Sequence, residues 1–367
     1  MKNKPSSLYI HIPFCEHICS YCDFPKLQYF TDLAKKYLLH LKMELDSLNI
    51  THQLETIYIG GGTPTALEDD LFEQLLQIVA PYASKIKEYT IEANPESLSS
   101  NKIRLMEKYG VTRLSLGVES TDDQILKAIN RHHTFADVKR VIKDIRATSH
   151  LVVNIDLILG LPHCNTKHFE NDLNNIISLD VEHISCYPLT VHPHTVFFLE
   201  HIEEPNDDFS RELYDLADKM LSQAGYLHYE VSNWAKSGFW SLHNMTYWQD
   251  EEYYGVGLGA SGFINKYRYT NTQSITEYNQ GHYLASRELI SYEDDKIYFI
   301  MLTLRTIKGL SFKEYRRRFG DDFSILHKES IARFVSEGLL NIKEDTLAPT
   351  YQGMMVLDQI IVQFISE

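Results

Sequence analysis

The sequence has no long uninterrupted run of apolar residues and no signal peptide. No stretch of its 367 residues approaches the roughly 18 to 20 apolar residues that a bilayer-spanning helix needs. The chain starts Met-Lys-Asn-Lys-Pro and passes directly into a strand pattern, without the apolar segment and small-residue cleavage site of a secreted precursor. We therefore predict a cytoplasmic protein with no membrane span, and the sequence leaves peripheral membrane contact open.

Positive charge is also scarce in this chain. It has 35 Lys and Arg residues against 50 Asp and Glu residues, which gives a formal net charge of -15 at pH 7. This balance repels phosphate backbones, and no basic stripe offsets it, so nucleic acid is excluded as an expected partner. The hydrophobic and charged fractions, 44% and 23%, are those of an ordinary globular protein.

Cysteine is rare, with five in the chain, but three of them lie within eight residues. Cys15, Cys19 and Cys22 have the spacing C-x3-C-x2-C, directly after a short strand pattern. In a reducing compartment such a group indicates metal ligands and not a disulfide framework. A structural zinc site needs four ligands, and Cys164 and Cys186 are far away in the sequence. Three thiolates suit a 4Fe-4S cluster whose fourth iron is left open to a ligand that is not protein.

Strand and helix patterns alternate about six times over roughly the first 220 residues. This alternation predicts a parallel sheet with helical crossovers, and the choice lies between a doubly wound sheet and a barrel or part-barrel. Polar and glycine-rich positions recur at the predicted strand ends, where barrel active sites lie, and they favour the part-barrel. The predicted fold class is therefore α/β, with a partial (β/α)6 TIM-like barrel. The positions expected to converge on one face are Cys15, Gly60 to Thr63, Glu92, Asn94, Glu119, Asp156 and Thr190.

The pattern changes after Gly225. An aromatic-rich stretch contains the hexapeptide His-Asn-Met-Thr-Tyr-Trp at residues 243–248, and a glycine-rich stretch follows it. From about residue 275 onward the sequence predicts helical segments, with a hairpin at 338–350. Three helices and a hairpin resemble a winged helix, and the acidic balance favours a lid or a protein contact over DNA binding for this unit. We expect three parts: a part-barrel at 1–232, a connecting segment at 233–274 and a C-terminal helical, winged-helix-like domain at 275–367.

Two motifs together carry a resemblance to a known family. They are Tyr9-Ile-His-Ile-Pro-Phe-Cys15-x3-Cys19-x-Tyr21-Cys22 and Gly60-Gly-Gly-Thr63-Pro64. Over nearly its full length the chain resembles the radical S-adenosylmethionine enzymes, in the branch of oxygen-independent coproporphyrinogen III dehydrogenase and its relatives. In that family S-adenosylmethionine chelates the open iron, and an electron from the cluster splits its carbon-sulfur bond to give a 5'-deoxyadenosyl radical. The resemblance implies a 4Fe-4S cluster and S-adenosylmethionine as cofactors.

The resemblance also assigns residues to these cofactors. Gly61, Gly62 and Thr63 would offer backbone donors and close approach to the methionyl end, which a side chain would block. Glu119 stands where relatives usually carry glutamine, and a carboxylate can accept bonds from ribose hydroxyls but cannot donate one. Taken alone, each single polar residue could equally be a capping or ion-pairing group at a barrel rim. The cluster ligands would be Cys15, Cys19 and Cys22, and the other residues expected beside S-adenosylmethionine are Tyr9, Tyr21, Glu92, Arg131 and Asp156.

Two departures and one addition distinguish the chain within this branch. The dehydrogenase has a further cysteine two residues after the third ligand, where this chain has Phe24, and it begins with a longer N-terminal extension. The addition is the hexapeptide, which matches the H-N-x-x-Y-W motif of related heme chaperones. A histidine beside aromatic rings can ligate heme iron and pack on a porphyrin face, and a buried aromatic cluster is the alternative interpretation. The resemblance implies heme contacts at His243, Asn244, Tyr247 and Trp248.

A second heme ligand is less clear from the sequence. Ser261 stands where relatives often have histidine, so a second axial ligand would have to come from another histidine, such as His192 or His194.

The sequence therefore predicts a heme chaperone that binds heme as cargo and passes it to an acceptor hemoprotein such as a respiratory cytochrome. The alternative is an oxygen-independent coproporphyrinogen III dehydrogenase, which decarboxylates the two propionates of its substrate after hydrogen abstraction. A radical enzyme acting on an unrelated small molecule is a third alternative. Phe24 and the hexapeptide favour the chaperone.

Overall fold

The computed structural model describes residues 4–366 of the chain. Its strands form one sheet of twelve, one of three and one of two. In chain order the strands are β1 (Ser7–Ile12), β2 (Phe14–Cys15), β3 (Leu27–Gln28), β4 (Thr56–Gly61), β5 (Glu88–Ala93), β6 (Arg113–Glu119), β7 (Val152–Leu159), β8 (His183–Pro188), β9 (Leu227–Glu230), β10 (Asn233–Ala235), β11 (Tyr253–Val256), β12 (Ser261–Ile264), β13 (Tyr267–Asn271), β14 (Leu284–Leu289), β15 (Leu310–Ser311), β16 (Leu340–Lys343) and β17 (Thr346–Pro349).

The helices follow the apolar periodicity of the sequence. In chain order they are α1 (Thr31–Ser47), α2 (Asp69–Val79), α3 (Ser100–Lys108), α4 (Asp123–Ala128), α5 (Phe135–Thr148), α6 (Thr166–Ser178), α7 (Val196–Leu199), α8 (Asp207–Gln223), α9 (Leu242–Trp248), α10 (Ile275–Tyr278), α11 (Tyr292–Thr303), α12 (Phe312–Phe319), α13 (Phe323–Leu326), α14 (Lys328–Ser336), α15 (Tyr351–Met355) and α16 (Leu357–Ser366). In α2, for example, Leu71, Leu75 and Val79 are buried on one face. Within residues 4–366, no helix combines the length and the apolar character that a membrane crossing requires.

Six parallel strands form the centre of the large sheet, in the order β1-β4-β5-β6-β7-β8, and helices connect them. The full order is β14-β13-β12-β11-β1-β4-β5-β6-β7-β8-β10-β9, and β14 does not pair with β9, so the described sheet stays open. Leu8, Ile10 and Ile12 of β1 are fully buried, as expected for a parallel sheet covered on both faces. The predicted partial (β/α)6 barrel is therefore confirmed.

The C-terminal part has its own core. Phe299, Tyr315, Phe323, Phe334 and Phe364 are buried together in a cluster separate from the core of the barrel. The three-stranded sheet β15-β17-β16 contains the predicted hairpin, formed by β16 and β17, and α11 to α16 pack around it. The predicted winged-helix-like arrangement is confirmed.

The prediction of helical segments from about residue 275 onward is wrong for one stretch. Residues Leu284–Leu289 form β14, which pairs antiparallel with β13 and extends the large sheet. All six residues of β14 are exposed. An edge strand of this kind lacks the apolar alternation by which a strand is recognised in a sequence, and its pairing partner alone defines it. The structure also pairs β11 in parallel with β1, and the sequence did not predict this pairing.

Candidate functional site

The three clustered cysteines lie on the segment that follows β1. Cys15 ends β2, and the backbone N–H of Tyr29 donates to its carbonyl at 2.9 Å, which fixes the point where the loop returns. The N–H of Cys22 donates to the carbonyl of Cys19 at 3.3 Å and makes a turn between these two. Cys15 is buried, and Cys19 and Cys22 are half-buried. The loop therefore holds three sulfurs near the C-terminal end of the first parallel strand.

A cavity of about 390 Å³ opens at the C-terminal ends of the parallel strands. Its size lies within the range of roughly 300 to 1,000 Å³ found for small-molecule sites. Tyr9 is the one residue predicted beside S-adenosylmethionine that does not line it, since its hydroxyl group lies 2.9 Å from His11 Nδ1 behind the wall. The predicted residues that the fold brings together in the cavity wall are Cys15, Cys19, Tyr21, Cys22, Gly61, Gly62, Thr63, Glu92, Glu119, Arg131 and Asp156.

The glycine turn after β4 leaves space but few donors. Gly61 has a φ of 116°, and a Cβ there would lie 2.4 Å from the His11 ring, so only glycine fits. Its N–H donates to Glu92 Oε2 at 2.8 Å, the N–H of Gly62 donates to the carbonyl of Ile12 at the end of β1, and that of Thr63 donates to the carbonyl of Phe14. The expectation that these three residues offer free backbone donors is therefore wrong, because the fold uses all three. These residues instead allow a ligand to approach the backbone closely.

Three acidic side chains line the cavity with raised pKa values. Burial raises the pKa of Glu92 to about 7, although the Tyr58 hydroxyl donates to its carboxylate at 2.7 Å and works in the opposite direction. Burial likewise raises the pKa of Glu119 to about 7, against the lowering effect of Arg131, and it raises the pKa of Asp156. Near neutral pH, Glu92 and Glu119 are therefore poised between acid and carboxylate. A cationic ligand in the cavity would convert them to carboxylates.

Glu119 also has an unusual backbone conformation. Its φ is 67°, in the left-handed region, and the register between β6 and β7 shifts between Gly117 and Glu119. A bulge of this kind re-aims a side chain, at a cost of about 1–3 kcal/mol for the strained residue. The carboxylate of Glu119 thereby comes 3.8 Å from Arg131. No local sequence pattern indicates this bulge.

Arg131 connects the cysteine loop to the strand ends. Its Nη1 lies 3.5 Å from Cys19 Sγ and donates to Asn94 Oδ1 at 3.1 Å, while its Nη2 donates to the carbonyl of Gly117. The buried Nε has no hydrogen-bond partner in the described part of the chain. Arg131 therefore places a fixed positive charge beside the Cys19 thiol, and its Nε–H can donate to a bound ligand.

The buried thiols and the space beside them fit a bound metal centre. Burial raises the pKa of Cys15 to about 12 and raises that of Cys22, so a positive metal centre is needed to hold them as thiolates. A Cβ on Gly62 would lie 2.9 Å from Cys15 Sγ, so glycine keeps this space open. Among residues 4–366, no three His, Cys, Asp or Glu side chains converge closely enough to hold one metal ion. One thiol for each of three irons fits a 4Fe-4S cluster whose fourth iron is open.

Sequence reasoning missed several residues of the cavity wall. Tyr58, Ser115 and Tyr187 lie on β4, β6 and β8 and point into the cavity. Tyr58 stands between Ile57 and Ile59, which are fully buried. A polar residue alternating with buried aliphatic residues was the available signal, because successive strand residues face opposite sides of a sheet. The residues missed at the cavity mouth are His17, Asp23 and Lys26.

The hexapeptide occupies a different place. It forms α9, where His243 is fully buried. His243 Nδ1 lies 2.8 Å from Thr56 Oγ1, and its Nε2 lies 2.7 Å from the Tyr247 hydroxyl. Its backbone N–H donates to Glu88 Oε1 at 2.9 Å. Burial lowers the pKa of His243 to about 3, so the ring is neutral. Asn244 and Trp248 are half-buried.

The partners of α9 place the hexapeptide at the opposite end of the barrel from the cysteines. Thr56 and Glu88 are the first residues of β4 and β5, while the cavity lies at the last residues of these strands. β4 has six residues, so at about 3.3 Å per residue its two ends lie roughly 16 Å apart. The structure does not bring the predicted heme residues to the cysteine cavity. As folded, His243 offers no free ring nitrogen.

Comparisons with known proteins agree with this architecture. The family model described as the radical SAM superfamily matches residues 9–176, and the model of the HemN C-terminal domain matches residues 298–356. Among solved structures, a coproporphyrinogen III oxidase, HemN, from Escherichia coli, described as a radical SAM enzyme, superposes with a TM-score of 0.85 at 21% identity. That match covers 99% of this chain and 90% of the other, and it establishes the shared fold.

Curated relatives match from end to end. The heme chaperone HemW of Bacillus subtilis is 34% identical over 98% of this chain and 99% of its own length. The heme chaperone HemW of Escherichia coli is 31% identical over 100% of both chains. Identity of this extent, joined to the three-cysteine cavity and the C-terminal unit, shows that the chain belongs to the HemW family of the radical SAM superfamily.

Proposed function

We propose that the protein is a cytoplasmic heme chaperone, which holds heme and passes it to an acceptor hemoprotein such as a respiratory cytochrome. The full-length relatives, which are heme chaperones by name, support this proposal. The observation that carries it is the cavity at the strand ends, which combines three thiols with a mouth bearing the exposed side chain of Phe24. Where the dehydrogenase has a further cysteine, this chain presents an apolar ring that a porphyrin face can contact.

In this proposal Cys15, Cys19 and Cys22 hold a 4Fe-4S cluster, and S-adenosylmethionine fills the remainder of the cavity. When bound, the two supply one-electron chemistry. The glycine turn permits close approach, and the carboxylates of Glu92, Glu119 and Asp156 face the cationic groups of the cofactor. Arg131 lies beside Glu119 and against the cysteine loop, which carries Tyr21. Tyr9 acts indirectly, packed against Tyr58 with ring centroids 6.1 Å apart.

In this proposal the hexapeptide covers the end of the barrel where β4 and β5 begin. For His243 to ligate heme iron, its contacts with Thr56 and Tyr247 have to break and α9 has to leave the strand ends. Asn244 and Trp248 are partly exposed, but α9 lies at the opposite end of the barrel from the cavity mouth, so they do not contact a heme held there. In this proposal we therefore assign a structural role to all four residues of the hexapeptide that were predicted to contact heme.

Heme titration tests the chaperone assignment. We expect the anaerobically reconstituted, full-length protein to bind heme saturably, at about one per chain, as followed by its Soret absorption. Phe24→Ser is expected to weaken binding by about tenfold, because part of an aromatic contact is lost. Phe30→Ser is the matched control, since Phe30 is 63% exposed against 61% for Phe24 and does not line the cavity. Absence of saturable binding by the wild type would refute the assignment.

The alternative is an oxygen-independent coproporphyrinogen III dehydrogenase. Its support is that the cavity carries the acidic groups and the thiols together, a setting suited to a bound radical cofactor. An anaerobic assay with coproporphyrinogen III, S-adenosylmethionine and a reductant distinguishes the two. We expect no protoporphyrinogen above the background of the Cys19→Ala variant. Formation of that product at a catalytic rate would replace the chaperone with the enzyme.

Binding of S-adenosylmethionine is expected to depend on pH through Glu92. The pKa of Glu92 is raised to about 7, so the carboxylate that attracts a cationic ligand is largely protonated at pH 6 and largely ionised at pH 8. The affinity should therefore rise with pH, by up to about tenfold over this interval. Glu92→Gln should make the profile less steep and leave the contribution of Glu119, whose pKa is also raised to about 7, as measured by equilibrium dialysis of the cofactor. An equally steep profile in this variant would assign the dependence to another group.

A further inference from the structure

A histidine that binds heme iron needs a ring nitrogen free of other partners, next to apolar surface. Several of the 17 histidines are excluded because both ring nitrogens are engaged inside the fold, as in His11, His183 and His243. Two histidines line the cysteine cavity, His17 and His192. His17 and His192 are therefore the two candidate histidine ligands of iron at this site.

We propose that His192 is an axial ligand of heme iron at the mouth of the cysteine cavity. The inference rests on the proposed function, because it gives the cargo a binding site. His192 lies in the loop between β8 and α7, and its side chain is 44% exposed. Its Nε2 lies 3.5 Å from Asp23 Oδ2, and its Nδ1 has no hydrogen-bond partner among residues 4–366.

Asp23 gives His192 the surroundings of a metal ligand. Histidines that bind metal through one nitrogen usually donate the other N–H to a carboxylate or carbonyl, which fixes the ring and makes it more basic. Asp23 directly follows Cys22, so this contact also joins the histidine loop to the cysteine loop. His17 lacks such a partner in the described chain, and its ring stacks on His132 with centroids 3.7 Å apart. The carboxylate therefore favours His192 over His17.

Large apolar side chains are exposed on the cavity wall and on α7. Phe24 lines the same cavity and is 61% exposed. On α7, a few residues after His192, the side chains of Phe198 and Leu199 are 49% and 70% exposed. The N–H of Phe197 donates to the carbonyl of Ser20 at 3.0 Å and so fixes α7 against the cysteine loop. Exposed apolar side chains of this size, on the cavity wall with His192 and on the helix fixed against the cysteine loop, match a flat apolar ligand with a central metal.

The experiment compares three variants of the full-length, reconstituted protein, titrated with hemin and followed by Soret absorption and electron paramagnetic resonance. His192→Asn is expected to raise the Kd at least tenfold and to abolish the axial-histidine signature, and added imidazole should restore that signature. His194→Asn is the matched control, since His194 is exposed and lies outside the cavity wall. Asparagine tolerates its φ of 71°. His17→Asn should keep the axial-histidine signature.

The outcomes separate this inference from the function on which it rests. If the wild type does not bind hemin saturably, the chaperone proposal fails and the site fails with it. If the wild type binds and His192→Asn keeps its Kd and spectrum, the site is wrong while the chaperone proposal survives. Loss of the axial signature in His17→Asn in place of His192→Asn would also overturn the assignment.

Discussion

Cys19→Ala is expected to lose the iron-sulfur cluster almost completely. A cluster with an open iron has one thiolate for each of its other irons, so no remaining cysteine can take the place of a missing one. The other two cysteines, Cys164 and Cys186, do not line the cavity, so neither can replace the missing ligand. After anaerobic reconstitution, the iron content should fall from about four atoms per chain to near zero, and sulfur-to-iron absorption should vanish.

Cys164→Ala is the control for this result. Cys164 is partly buried, outside the cavity, and behaves as a small apolar residue, so its variant should retain iron at the wild-type content. Cys15→Ala and Cys22→Ala should behave like Cys19→Ala. Wild-type iron content in any one of these three would show that the ligand set is different.

His243→Ala is expected to destabilise the fold strongly while leaving heme binding in place. The substitution empties a fully buried position and removes the partners of the Tyr247 hydroxyl and Thr56 Oγ1. Thr56 keeps its bond to Ser7, but a buried hydroxyl without its partner and a cavity together should lower the free energy of unfolding by about 2–4 kcal/mol. Urea unfolding of the full chain, followed by circular dichroism, measures the change.

Asn244→Ala is the matched control in the same helix. Its side chain is half-buried and makes no hydrogen bond among the described residues, so the expected change is below about 1 kcal/mol. If His243→Ala is as stable as the wild type and no longer binds heme, His243 is a ligand after all. The motif would then function in a conformation in which α9 has left the barrel end.

The part-barrel was predictable because its signals are local. In β4 and β5, buried aliphatic residues are followed directly by glycine or polar residues at the strand end, and the intervening helices have regular apolar periodicity. Chain direction alone then places all these strand ends on one side. The short strands from β11 to β14 were not predictable in the same way. β14 is exposed along its whole length, so only its long-range pairing with β13 defines it.

The sequence predicted which residues line the site better than it predicted the contacts that those residues make. Cysteine spacing and the glycine turn indicated which residues meet, and all but Tyr9 of the residues predicted for the cluster and S-adenosylmethionine line the cavity, whereas the predicted heme residues do not. The sequence did not indicate that the backbone donors of Gly61, Gly62 and Thr63 are used inside the fold. It also did not indicate the bulge at Glu119, since strain there depends on the register with β7.

By itself the sequence determined which chemistry is available to this protein, because Cys15, Cys19 and Cys22 are close along the chain and their spacing needs no tertiary information. Only the tertiary structure decided where the hexapeptide lies. Thr56, which holds the ring of His243, is 187 residues away from it, and such a contact leaves no trace in local periodicity. The same holds for Asp23 and His192, which meet at the cavity mouth only because β1 and β8 end on the same side of the sheet.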